Sequence, residues 1–173
     1  MYDMEKHLRS RKYEVDRYSH HYIDHMGEIA TFYLFDEYER FTGYQRYNPN
    51  SLEKKVNNSI EGRYFNHNQR GELCIWGLEV LTLQGPLFIT ESIFKSAAIH
   101  SAGFNSITQL TSGVSKRFLD YVDSLGMDTY FVGDMDAAGL KFSKYRPDGF
   151  ITERDLDEYP TEKLRELLLG NIK

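Results

Sequence analysis

Three acidic residues stand where carboxylates can do chemistry. Leu87-Phe-Ile-Thr90 is a short apolar stretch with strand character, and Glu91 follows it directly. Thr129-Tyr-Phe-Val132 is a second such stretch, followed by Gly133-Asp134-Met135-Asp136. In an open parallel sheet, ligands bind beyond the carboxyl ends of the strands. Carboxylates crowded there raise one another's pKa, and a cation relieves the repulsion. Mg²⁺ prefers hard oxygen donors and usually takes one or two carboxylates together with waters and phosphates. Asp134 and Asp136, one residue apart on a turn, can face a common point, and Glu91 can join them from a neighbouring strand. The expected catalytic and metal-binding residues are Glu91, Asp134 and Asp136, with Mg²⁺ or Mn²⁺ as cofactor.

Other metal readings fail on residue type. Asp134-x-Asp136-x-x-Gly139 begins like an EF-hand loop, but its fifth position is Ala138, its twelfth is Tyr145, and a strand precedes it. His7, His20, His21 and His25 crowd the N-terminal stretch. No Cys or H-E-x-x-H pattern accompanies them, so they read as solvent-facing side chains. Cys74 is the only cysteine, which rules out an internal disulfide or a zinc knuckle and suits a reducing cytoplasm.

The elements that must position the acids alternate. Residues 91–100 read as a helix with Ile93, Phe94, Ala97 and Ala98 on one side, ended by Gly103. Strand 105–110, a turn at Thr111-Ser-Gly113, and an amphipathic helix over 115–125 follow. After strand 129–132 another helix starts near Gly139, and Phe150-Ile151 and a last helix over 161–169 complete the pattern. Alternating strands and helices predict a parallel sheet with right-handed crossovers. Upstream the signals change. Ile29-Ala-Thr-Phe-Tyr-Leu-Phe35 and Phe41-Thr-Gly-Tyr-Gln-Arg-Tyr47 read as antiparallel strands, and 63–65 with 72–76 as a hairpin. Residues 52–60 are a short helix or a loop. The expected organisation is an N-terminal arm (1–28), a small β-rich subdomain (29–85) and an α/β catalytic domain (86–173).

At this point the sequence resembles a known superfamily. The order strand–Glu91, helix, strand, helix, strand–Asp134-x-Asp136-x-Ala138-Gly139 is similar to the Toprim domain, shared by DnaG-type and phage primases, topoisomerases and several nucleases. The likeness covers residues 87–144. Gly43-Tyr-Gln-Arg46, Gly62-Arg-Tyr-Phe65 and Trp76-Gly77 resemble the lead-in of phage primases, and Arg154-Asp-Leu-Asp157 resembles an acidic element that follows the pair in them. The resemblance implies a Toprim-like (Rossmann-like) parallel sheet flanked by helices, and it adds Asp155 and Asp157 as metal-binding acids. It implies metal-dependent phosphoryl transfer, as primer synthesis on single-stranded DNA from nucleotides, with phosphodiester cleavage, or a non-catalytic phage role as a replication accessory or anti-host protein, as alternatives. A helicase or other replication protein is the implied partner, in the cytoplasm of a phage-infected host. The sequence departs from the pattern at Ser92, where glycine is usual, and at Lys95, where an acid is usual.

Total charge sets limits on the nucleic-acid reading. The 173 residues carry a net −5, unlike a dedicated basic nucleic-acid module. The charge is polarised, however: Arg40, Arg46, Lys54, Lys55, Arg63 and Arg70 fall in one segment, and 12 of the 26 acids lie in the C-terminal third. Arg46, Arg63, Lys95 and Lys141 are the expected phosphate contacts. Tyr44, Tyr47, Tyr64, Phe65 and Trp76 could stack bases or pack across strands. At 40% apolar and 14% aromatic residues the chain can bury a core. No apolar run reaches the ~18 residues a membrane span needs.

Overall fold

The computed structural model describes residues 3–54, 56, 60–110 and 113–173. Lys55, part of the 52–60 stretch, and Thr111-Ser112 of the expected turn lie outside them.

Strands in chain order are β1 (His21–Asp24), β2 (Ile29–Phe35), β3 (Phe41–Tyr47), β4 (Tyr64–Asn68), β5 (Ile75–Trp76), β6 (Leu87–Thr90), β7 (Asn105–Gln109), β8 (Thr129–Asp134) and β9 (Phe150–Thr152). Helices are α1 (Met4–Ser10), α2 (Ile93–Ser101), α3 (Lys116–Ser124), α4 (Ala137–Ser143) and α5 (Thr161–Asn171). All nine strands join one sheet, in the order β4-β3-β2-β5-β7-β6-β8-β9, with β1 paired to β2. β1 to β4 pair antiparallel, and β7, β6, β8 and β9 run parallel. The chain leaves β6 for β7 on one side and then crosses to β8 on the other, which makes the carboxyl ends of β6 and β8 a topological switch point.

Residue pattern explains the layers. Every residue of β6 is buried, as a parallel strand covered on both faces requires. Leu87 and Ile89 pack with Phe118 and Val122 of α3, Phe131, and Phe142 of α4. Phe88 points the other way, against Ala98 and Ile99 of α2 and Leu164 and Leu168 of α5. Each such side chain contributes about 1.5–3 kcal/mol by leaving water. β2 is half-buried: Ala30, Phe32 and Leu34 face the core, and their neighbours face outward. Three helices start on side-chain caps. Asp3 accepts from the Lys6 amide, Ser115 from the Phe118 amide and Asp136 from the Gly139 amide.

The N-terminal stretch carries α1 and packs on the sheet: Met4, Leu8 and Tyr13 are fully buried with Phe32, Tyr47 and Phe94, and β1 adds to the sheet. Its aliphatic residues are few, so the burial is carried by large rings the apolar periodicity did not weigh. The segments 63–65 and 72–76 do not pair as a hairpin. β4 pairs with β3, whereas β5 sits on the far side of β2 and bonds to β7. Two of the histidines are not solvent-facing: His7 lies 2.8 Å from the Tyr47 hydroxyl, and His21 Nδ1 lies 3.1 Å from that of Tyr13. Burial lowers the pKa of both.

Candidate active-site cleft

Parallel pairing places the acids. The register Leu87↔Thr129, Phe88↔Tyr130, Ile89↔Phe131 brings Glu91, one residue past β6, beside the Gly133-Asp134 end of β8. On the other side of β8, Asp134 is opposite Thr152 of β9, and the chain beyond β9 carries Asp155 and Asp157. Three neighbouring parallel strands therefore release their acids at one end of the sheet. Glu91, Asp134, Asp136, Asp155 and Asp157 all line one cleft of about 730 Å³.

The turn after β8 depends on two glycines. A Cβ on Gly133 would collide with the carbonyl of Gly139, and a Cβ on Gly139 would collide with the backbone of Asp134. Their absence lets α4 fold back onto the strand end that holds Asp134. Asp136 Oδ1 accepts from the Gly139 amide at 2.7 Å and starts the helix. Behind Glu91 a row of buried hydroxyls fixes the end of β6. Thr90 Oγ1 is 2.8 Å from Ser96 Oγ, Ser106 donates to Ser96 at 2.9 Å, and Thr108 donates to the Thr90 carbonyl at 2.7 Å.

The charges in the cleft are partly matched by the protein itself. Lys95, in the first turn of α2, ion-pairs with Asp134 through Nζ and lies 3.5 Å from Asp155. Arg11, just after α1, ion-pairs with the buried Asp157. Burial raises the pKa of the Glu91 carboxyl; Lys95 opposes this, and Asp134 and Asp136 reinforce it. Among the described residues, no three acidic, histidine or cysteine side chains close a metal site on their own. One oxygen of Asp134 holds Lys95, and one oxygen of Asp136 holds the α4 cap.

The expected phosphate contacts divide. Lys95 lines the cleft, but Arg46, Arg63 and Lys141 do not. Arg46 donates to the Ile60 carbonyl and Arg63 donates to the Ser51 carbonyl at 3.1 Å, so both brace the segment between β3 and β4. Lys141 is exposed on α4. Among the described residues, the cations in the cleft besides Lys95 are Arg11 and Lys54. Arg11 had no signal in the sequence, since its partner is 146 residues away. The facing wall also carries Gln45, Asn66, Asn68, Tyr64 and Phe65. Tyr47 and Trp76 are core residues, and Tyr44 stacks on His67 at 5.2 Å.

No family model and no curated protein sequence matches the chain. Solved structures do match in fold. A DnaG catalytic core superposes with TM-score 0.62 at 14% identity, covering 83% of this chain and 51% of that one. The E. coli primase catalytic core gives 0.63 at 14%, covering 88% and 56%. A DnaG primase catalytic domain bound to single-stranded DNA gives 0.63 at 13%, covering 96% and 57%. The chain therefore has the α/β fold of the DnaG-type catalytic cores, as the resemblance implied, and it spans a little over half the length of these structures.

Proposed function

We propose that this chain is a primase-like nucleotidyltransferase that joins ribonucleotides on a single-stranded DNA template with the help of a divalent cation. The observation that carries this reading is the convergence of Glu91, Asp134 and Asp136 at the carboxyl ends of adjacent parallel strands, in a cleft whose opposite wall is amide-rich and cationic. The donor set fits one Mg²⁺ or Mn²⁺: hard carboxylate oxygens, open on the cleft side for water and phosphate. When bound, the ion would neutralise phosphate charge and favour the ionised form of the attacking hydroxyl.

The protein's own groups have separate tasks. Asp136 holds the start of α4 and thereby the turn on which Asp134 sits. Lys95, Arg11 and Lys54 balance the carboxylates and offer charge to a phosphate chain. Gln45 and Asn66, joined by a 2.8 Å hydrogen bond, present amides to a template strand on the facing wall. A helicase or other replication protein is the partner this reading calls for, in the cytoplasm of the host.

The test incubates the protein with single-stranded and supercoiled DNA, Mg²⁺ or Mn²⁺, with and without ribonucleotides. Oligoribonucleotides on the single strand are the expected product. Asp134→Asn should lower the yield roughly 10²-fold or more, the scale of losing a group that stabilises transition-state charge. Nicked circles would replace polymerisation by a nuclease reading, and full activity in the variant would refute the site.

A further inference from the structure

Lys95 is an unusual neighbour for a cluster of carboxylates that is open to a cation. It belongs to the first turn of α2, whose residues from Ile93 to His100 are all buried, so its backbone is fixed in the core. Its side chain is 10% exposed. The ammonium touches Asp134 and stands 3.5 Å from Asp155, and thus bridges the acids that follow β8 and β9. A two-metal site for phosphoryl transfer has its ions about 3.5–4 Å apart, which requires carboxylates on both sides of a shared acid. Here Asp134 is the central acid, with Glu91 on one side and Asp155 on the other. The Asp155 side is taken.

We infer that the Lys95 ammonium is a built-in cation in the seat that a second divalent ion would take between Asp134 and Asp155, so that the chain binds no ion there. The inference rests on the carboxylate site proposed above and deepens it. An ammonium offers three N–H donors to carboxylates or phosphates. It brings one charge in place of two, has no open coordination position, and cannot acidify a bound water as a metal does. The second half of a two-metal centre is thereby converted into a fixed phosphate contact. Arg11 on Asp157 reinforces this by occupying the remaining acid of the same side.

The test counts bound Mn²⁺ by electron paramagnetic resonance of the free ion and by calorimetry, on the full chain at one pH and salt. Lys95→Ala and Lys95→Met, the second keeping most of the stem's volume, should each bind one Mn²⁺ more than the parent. Adding Asp155→Asn to Lys95→Ala should remove the extra ion. Equal counts in the parent and in folded Lys95 variants would overturn the inference. Asp155→Asn alone, at an exposed position that does not threaten the fold, should leave the parent's count unchanged; a lost ion would overturn the inference too. The parent's own count tests the other reading separately. One ion supports the Glu91, Asp134, Asp136 site, and none refutes it whatever the variants do. Two ions in the parent would sink the inference and leave that site standing.

Discussion

Replacing Arg11 with methionine should destabilise the fold far more than an ordinary surface change. The guanidinium ion-pairs with Asp157, whose side chain is 5% exposed, while Arg11 itself is 28% exposed. It also lies 4.3 Å over the Phe94 ring and 3.5 Å from the Tyr47 hydroxyl. Removing one partner of a buried pair costs roughly 3–5 kcal/mol, because the other charge is left buried alone. Water reaches the arginine end, so about half of that is the better figure, roughly 2 kcal/mol. Loss of the cation–π contact adds about 0.5–1 kcal/mol. The sum, about 3 kcal/mol, corresponds to a fall of roughly 6–12 °C in melting temperature for a chain of this size. Thermal and urea unfolding followed by circular dichroism would measure it. A double-mutant cycle with Asp157→Asn should show the double variant regaining at least about 1 kcal/mol of the summed single losses, since it leaves no orphaned charge. Arg9→Met is the control: its pairs with Glu14 and Asp16 are exposed to solvent, and it should change the melting temperature little. An Arg11→Met chain that melts with the Arg9→Met control, or a cycle that is strictly additive, would refute the reasoning.

Two further outcomes follow from the packing. Gly139→Ala should cost about 1–3 kcal/mol, since its Cβ collides with the backbone of Asp134, and it should lower Mn²⁺ affinity by shifting that carboxylate; equal affinity and stability would show that the turn yields. His100 is held neutral in the core between the Tyr18 hydroxyl and the Ser106 carbonyl, with its pKa lowered to about 4, chiefly by burial. The unfolded chain takes up that proton near the ordinary 6.5, so stability should drop as pH falls from about 6.5 towards 4, by roughly 3 kcal/mol in all. Urea unfolding at pH 7 and 4.5 should find that part of the acid sensitivity missing in His100→Gln; an unchanged pH difference would remove His100 as its source.

Legibility differed by element. β2, β3 and β6 could be bounded to the residue, because β-branched and aromatic runs ended at clear turn or acid positions. That Glu91 and Asp134 stand at the carboxyl ends of neighbouring strands was legible because strand ends and acids coincide in the chain. Pairing partners were not legible. β5 is two residues long, and nothing local tells it to leave β4 and bridge β2 to β7. Lys95 stood out in the sequence where an acid is usual, but its pairing with Asp155 was hidden, because only β9 brings that residue beside it. The surroundings of Arg46 and Arg63 were not legible either: they sit among aromatics in the sequence, whereas their guanidinium groups donate to the backbone carbonyls of Ile60 and Ser51.

The bridging of two sheet halves by β5 has a dynamic consequence. The two walls of the cleft belong to one hydrogen-bonded sheet, joined through Phe35↔Ile75, Ile75↔Gln109 and Trp76↔Thr108. The same seam is backed by the Tyr13, Tyr18, Phe32, Trp76 and Phe94 rings. Closing or opening the cleft by rigid rotation of one wall would tear that ladder and unstack those rings, unlike a hinge at a linker between two domains. A ligand entering the cleft therefore meets walls already held by one sheet. On the function proposed above, adaptation to different nucleotides is left to side chains and loops at the rim, and the ordering entropy of a closing lobe does not weigh against binding.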